Sequence, residues 1–310
     1  MTMSNNNGYW LVRLSIPITF FFTLVFALKA SAEIRVTDYL DNELVLTQPA
    51  KRIVALSPHI TENIFAAGAG DLLVGTVEYS DYPAAAKALP HVGSFASLNR
   101  EALLSLNPDL VIAWSSGNGE AMIAQVKSLG IPVFVDEPQQ MEDVARSLQA
   151  IGIVSDRKQS ANTAAKKYLS ALAELRKHYQ RQSTVTVLYQ IWHSPIQTVN
   201  NDHIISQVMR LCGGTNIFGD AISAAPIINR ETVIDRNPDV IIASGIGQER
   251  PTWLDTWRQW PSLKAVKNEH LFFIAPDFLQ RHTPRILSGA QQMCEQLQSV
   301  REDSLLSKGE

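Results

Sequence analysis

The side chains of this 310-residue chain best placed to do chemistry are aromatic and polar groups at the ends of apolar runs. Trp114 follows directly on Leu110–Ala113, and Trp192 directly on Thr184–Ile191. Tyr79 and Phe95 fall in connecting loops of the first half, and Asp277, Phe278, Leu279, Gln280 and Arg281 follow the run Leu271–Ile274. In parallel α/β units ligands bind outside the carboxyl ends of the strands, so two such units facing each other would enclose one ligand. Each residue also has a plainer reading. The two tryptophans could be core and Tyr79 loop packing. Asp277 and Arg281, four apart, could be a surface pair worth a few tenths of a kcal/mol. Catalytic signatures are missing: the chain has no phosphate-binding loop, no G-x-G-x-x-G, no G-x-S-x-G and no H-E-x-x-H. The histidines are scattered without metal-ligand spacing. His193, His203 and His282 read first as solvated loop residues, with ligation of a ligand's metal as the weaker alternative. The reading is of no enzyme, no resident metal and no cofactor.

The elements that must position these residues are announced by a repeat. Asn99–Ala113 reads NREALLSLNPDLVIA and Asn229–Ala243 reads NRETVIDRNPDVIIA, eight identities in fifteen positions at an offset of 130 residues. Asn99 and Asn229 suit the N-cap, where a short side-chain oxygen accepts from a free first-turn amide. Glu101 and Glu231 then sit where the helix dipole favours an anion. Asn-Pro-Asp ends the helix, since proline cannot continue it. The apolar runs that follow fit strands buried on both faces of a parallel sheet. One half-domain has been built twice.

Strands alternate with helices on either side of this unit, which predicts α/β lobes with parallel sheets. Ser57-Pro58 opens a helix after the run Arg52–Leu56. Ser115–Gly119 reads as a loop, followed by a helix to about Leu129. Residues 156–182 contain no Gly or Pro and predict one long helix, a stiff spacer between the lobes. The expected organisation is a signal peptide over 1–32, an N-terminal lobe over 33–155, a linking backbone helix over 156–182 and a C-terminal lobe over 183–310. Arg13, the apolar run Leu14–Leu28 and Ala30-Ser31-Ala32 resemble a cleaved export signal with cleavage near Ala32. Loss of Arg13 and Lys29 leaves a formal charge of −5, which offers no basic surface to nucleic acid. Cys212 and Cys294 are the only cysteines. In an oxidising compartment they suit one disulfide, two buried thiols being the alternative.

Taken together, the export signal, the opening Ser57–Glu62, the loop Glu78–Pro83, the doubled unit, the long helix and the segment Asp277–Arg285 resemble the periplasmic binding proteins of the helical-backbone class (class III). These serve ABC importers of siderophores, haem and cobalamin. The likeness runs from about Arg52 to Leu297 and is greatest to the cobalamin-binding members. It implies two Rossmann-like parallel-sheet lobes joined by one helix, and a monomer in the periplasm. The transported ligand would be cobalamin or a related corrinoid, with a siderophore or haem as the alternative. It implies that Tyr79, Trp114 and the Asp277–Arg281 loop touch the corrinoid, whose flat ring suits aromatic faces and whose amide edges need polar partners. It further implies that Glu101 and Glu231 dock onto the two subunits of an inner-membrane permease dimer driven by its ATPase. Three positions depart from the pattern. Phe95 stands where the family has a tryptophan, Ala225 where it has a second tryptophan, and Gln197 where it has a phenylalanine. Trp192-His193 is the nearest local replacement.

Overall fold

The computed structural model describes residues 1–3, 8, 33–179 and 182–306, so the expected export signal lies almost wholly outside the described residues. Two four-stranded parallel sheets carry the fold. The first contains Ile53–Ala55, Leu73–Gly75, Leu110–Trp114 and Val133–Asp136. The second contains Val185–Gln190, Gly214–Asn216, Val240–Ala243 and Leu271–Phe273. In each sheet the spatial order by sequence rank is second, first, third, fourth, and every pairing is parallel. The duplication seen in fifteen residues therefore extends to whole lobes.

The repeated unit shows how each sheet is held. Asn99 accepts from the Ala102 amide at 3.1 Å and Asn229 from the Thr232 amide at 2.8 Å, opening the helices Arg100–Ser105 and Arg230–Arg236. Asn107 and Asn237 leave the helical region with φ of 44° and 41°, a conformation asparagine tolerates better than most residues. The aspartate that follows turns back to the neighbouring strand. Asp109 accepts from the Lys51 and Arg52 amides at 2.8 and 2.9 Å, and Asp239 accepts from the Thr186 amide and hydroxyl at 2.9 and 2.6 Å. Each clamps the amino end of its lobe's first strand beside the third.

The long helix runs Lys158–Tyr179, shorter at both ends than the sequence expectation. At its start Asp156 takes φ of 57°, outside the helical region. Ala161, Ala165, Tyr168 and Leu172 form its buried stripe. The stripe packs on the helix Asp143–Val154, where a Cβ at Gly152 would lie 2.4 Å from that of Ala161. Glycine is what lets these two helices approach so closely. One continuous apolar core takes in Ile53 and Ile112 of the first sheet, this helix, and Val187 and Ile242 of the second sheet. Cys212 and Cys294 are joined as a disulfide that ties the end of the helix Ile204–Leu211 to the terminal helix Ile286–Leu306. The expected loop at Ser115–Gly119 is instead a helical turn, broken at Gly119 (φ 73°, ψ 158°) before the helix continues to Ser128. Among the described residues no helix is long and apolar enough to cross a membrane.

Candidate functional site

The third strand of the first lobe delivers Trp114 to its carboxyl end, and the sequence around it holds the indole in place. Nε1 of Trp114 donates to Glu137 Oε1 at 3.2 Å, while the amide and hydroxyl of Ser116 donate to the same carboxylate at 2.7 Å each. Gly117 has to be glycine, because a Cβ there would lie 1.9 Å from the indole ring. Asn118, buried, accepts from the Trp114 amide at 2.6 Å and donates to the Leu56 and Phe95 carbonyls at 2.9 and 2.7 Å. One amide thereby joins the ends of two strands to the loop carrying Phe95. The Phe95 ring lies 6.4 Å from Trp114 and the His59 ring 5.2 Å away, edge-on. Tyr79 stands at the rim, 71% exposed, with φ of 64°.

The second lobe supplies a different aromatic wall. The ring of Trp192 lies 4.9 Å from His193, and His193 stacks on Trp253 at 5.5 Å with 15° between planes. Trp192 is held by donation from its Nε1 to the Ser194 carbonyl at 3.1 Å. Buried Gln190 donates to the Trp192 carbonyl and accepts from Trp257 Nε1 at 2.8 Å. Gln197 pairs across the small antiparallel sheet with Trp192, and its side chain reaches the Ala225 carbonyl at 3.3 Å. Gln197 is thus a neighbour of both Trp192 and Ala225. Trp253 was not legible as a site residue, since nothing in Pro251-Thr252-Trp253 separates a rim indole from a packed one.

The segment Asp277–Arg285 lies between the lobes. Arg281 bonds Asp277 at 2.9 Å, as the spacing allows, but it also crosses to the first lobe, meeting Glu62 and Asp81 at 2.8 Å and the Tyr79 carbonyl at 3.1 Å. Arg285 donates to both oxygens of Glu62, at 2.9 and 2.7 Å. Asp277 accepts from Gln248, and Gln280 donates to Ser244 at 2.8 Å. Phe278 is half-buried against the core, with the Arg285 guanidinium 5.5 Å from its ring. Leu279 is a correction. Its side chain is wholly buried and packs against Gly289 of the terminal helix, where a Cβ would be 2.6 Å away, so it fills core and leaves the cleft to its neighbours. Glu62 and Arg285 were missed as site residues although both ends of their motifs, Ser57–Glu62 and Asp277–Arg285, stood out in the sequence.

His59, His203 and His282 come together where the lobes meet, with ring centroids 5.9 and 6.3 Å apart about His282. Burial pushes all three below the usual histidine range, to about 4 for His203 and His282. His203 and His282 are only partly exposed, which corrects the sequence reading of them as fully solvated loop residues. His203 Nδ1 instead caps a helix by accepting from the Ile205 amide at 3.2 Å. Among the described residues no group of His, Cys, Asp or Glu has an arrangement that could hold a metal ion. Glu101 and Glu231 are exposed in the first turns of the two equivalent helices, one on each lobe.

The fold and this geometry can be set beside known proteins. A family model described as periplasmic binding protein matches residues 53–278. The vitamin B12-binding protein of Yersinia pestis (strain Pestoides F) is 36% identical over 253 residues, covering 82% of this chain and 88% of that protein. The crystal structure of the periplasmic vitamin B12 binding protein BtuF of Vibrio cholerae superposes with a TM-score of 0.76 at 35% identity, covering 82% of this chain and 98% of that one. The periplasmic heme-binding protein RhuT from Roseiflexus sp. RS-1 has the same fold, with a TM-score of 0.73 at 23% identity over 81% of this chain and 99% of its own. With the match spanning both duplicated sheets and the segment that joins them, the chain belongs to the periplasmic binding protein family.

Proposed function

We propose that the protein binds cobalamin or a related corrinoid between its lobes and delivers it to an inner-membrane ABC importer. The observation that carries the reading is the pair of aromatic walls, Trp114 with Phe95 and Tyr79 on one lobe and Trp192-His193 with Trp253 on the other. They stand in a chain similar over most of its length to vitamin B12-binding proteins. A corrin has two broad faces for aromatic stacking, each ring contributing about 1.5–3 kcal/mol of burial. As a periplasmic binding protein the chain holds a solute and makes or breaks no bond in it. Residues 33–155 and 183–310 are the two lobes and 156–182 the backbone between them, acting as a periplasmic monomer after cleavage near Ala32. Tyr79, Phe95, Trp114, Trp192, Asp277, Phe278, Gln280 and Arg281 surround the ligand. Glu101 and Glu231, matched by duplication, meet the two subunits of a two-fold permease dimer powered by its ATPase.

The test is titration of the mature chain with cyanocobalamin, with haemin and a ferric hydroxamate in parallel. Saturable binding of cyanocobalamin below micromolar concentration, tighter than the other two, is expected. No binding at 10 µM on the order of the protein's own concentration, or preference for either competitor, would end the corrinoid reading.

A further inference from the structure

We propose that Glu62, Arg281 and Arg285 form a strut between the lobes that holds the Tyr79–Tyr82 platform in its binding shape. Glu62 and Arg285 are then positioning residues that act through the tyrosines. This rests on the reading that Tyr79 faces the ligand.

Glu62, on the helix Pro58–Ala66 of the first lobe, has a side chain only 3% exposed. A carboxylate so far from water must be fully paired, and both partners come from the other lobe. Its Oε1 accepts from Arg281 Nη1 and Arg285 Nη2 at 2.8 and 2.7 Å, and its Oε2 from Arg285 Nε at 2.9 Å. The next residue, Asn63, adds a bond to the His282 carbonyl at 3.0 Å. Arg281 is then committed. Nη1 also donates to Asp81, and Nη2 serves both the Tyr79 carbonyl and Asp277. A guanidinium has five N–H donors, and four of those in Arg281 are directed at protein.

What the strut touches explains its role. Tyr79 sits at φ 64°, a left-handed conformation that is strained for a tyrosine and persists only where surroundings over-determine it. Its carbonyl is fixed by two donors, the Asp81 amide at 3.1 Å and Arg281 Nη2 at 3.1 Å. The phenol ring is thereby left outward-facing. Three residues on, the Tyr82 ring lies over the Arg285 guanidinium at 4.0 Å. The ring of one tyrosine and the backbone of another in the first lobe therefore rest on cations of the second. A pair serving only to hold the lobes together would have no need to reach the Tyr79 backbone.

The test is amide hydrogen exchange at Ser80 and Asp81 in the ligand-free protein, combined with a mutant cycle on affinity for cyanocobalamin. Glu62→Gln keeps the shape and removes the charge, and Arg285→Gln serves should the first variant not fold. Exchange at Ser80 and Asp81 should accelerate at least tenfold while the strand amides of Val187 and Tyr189 stay protected. Affinity should fall at least tenfold in the wild-type background and less than twofold when Tyr79 and Tyr82 are already alanine. Unchanged exchange, or an equal loss of affinity in both backgrounds, would overturn the strut as a positioning device. Should the wild-type protein not bind cyanocobalamin, the ligand reading fails, and the exchange measurement alone then decides for or against the strut.

Discussion

Replacing His203 and His282 together by glutamine should change how stability depends on pH. Both imidazoles are neutral in the fold, with folded values near 4 against about 6.5 in an unfolded chain. For a histidine whose folded value is lowered, the unfolded chain binds more protons at acid pH. The stabilisation is complete above about pH 6.5 and is lost as pH falls toward 4. Between pH 7.5 and 5 each site loses about 2 kcal/mol, or about 4 kcal/mol for the pair. His59, whose burial and whose neighbours His282 and Arg281 lower it too, acts in the same direction. Asp136 acts oppositely. Burial raises it from the usual range to about 7 despite a 2.6 Å bond from Ser147, so acid relieves a buried charge and regains about 3 kcal/mol over the same interval. The wild-type profile is thus only partly compensated, with a net loss of stability on acidification. The informative quantity is the difference between variant and wild type, measured by urea unfolding at pH 7.5 and 5.0 at constant ionic strength. The variant should gain about 4 kcal/mol relative to wild type on acidification. Parallel profiles, within about 0.5 kcal/mol, would refute the neutral, largely desolvated state of these two histidines.

Glu137→Gln should release the Trp114 indole and weaken cyanocobalamin binding about fivefold, the equivalent of one hydrogen bond of about 1 kcal/mol, with thermal stability little changed. Cys212→Ser with Cys294→Ser opens an 82-residue loop and should cost about 4.5 kcal/mol in the chain-entropy model, read as a lower urea midpoint with a slope at least as steep. Glu101→Arg with Glu231→Arg should abolish uptake in cells while leaving affinity within about twofold; a matching loss of affinity would show that these glutamates serve the cleft. Asp109→Ala and Asp239→Ala should each destabilise by about 1–3 kcal/mol, because each strands a strand-opening amide, and calorimetry would measure the effect.

Much of the fold could be read from local chemistry. The asparagine caps, the Asn-Pro-Asp stop and the β-branched runs act within a few residues of themselves, and all three are found where the repeat puts them. Gly214–Asn216 was not readable as a strand, because Gly-Thr-Asn has neither apolar run nor alternation and is held by pairing to Val185–Val187. Leu279 was misplaced because membership of a motif says nothing about which way a side chain points. The aromatic rim was visible because a bulky residue directly after a buried run is unusual. The partners that orient it were not. Glu137 is 23 residues from Trp114, and Glu62 is 219 from Arg281, and separations of that size leave no local trace.

The clamp that Asp109 and Asp239 place at the amino edge of each sheet lies at the opposite end from the aromatic rim. Register is therefore set at the foot of each lobe, by groups remote from that rim. Side chains on the loops at the mouth can therefore change without slipping a strand. A lineage with such a chassis can refit its grip for new solutes by substitution at the rim alone.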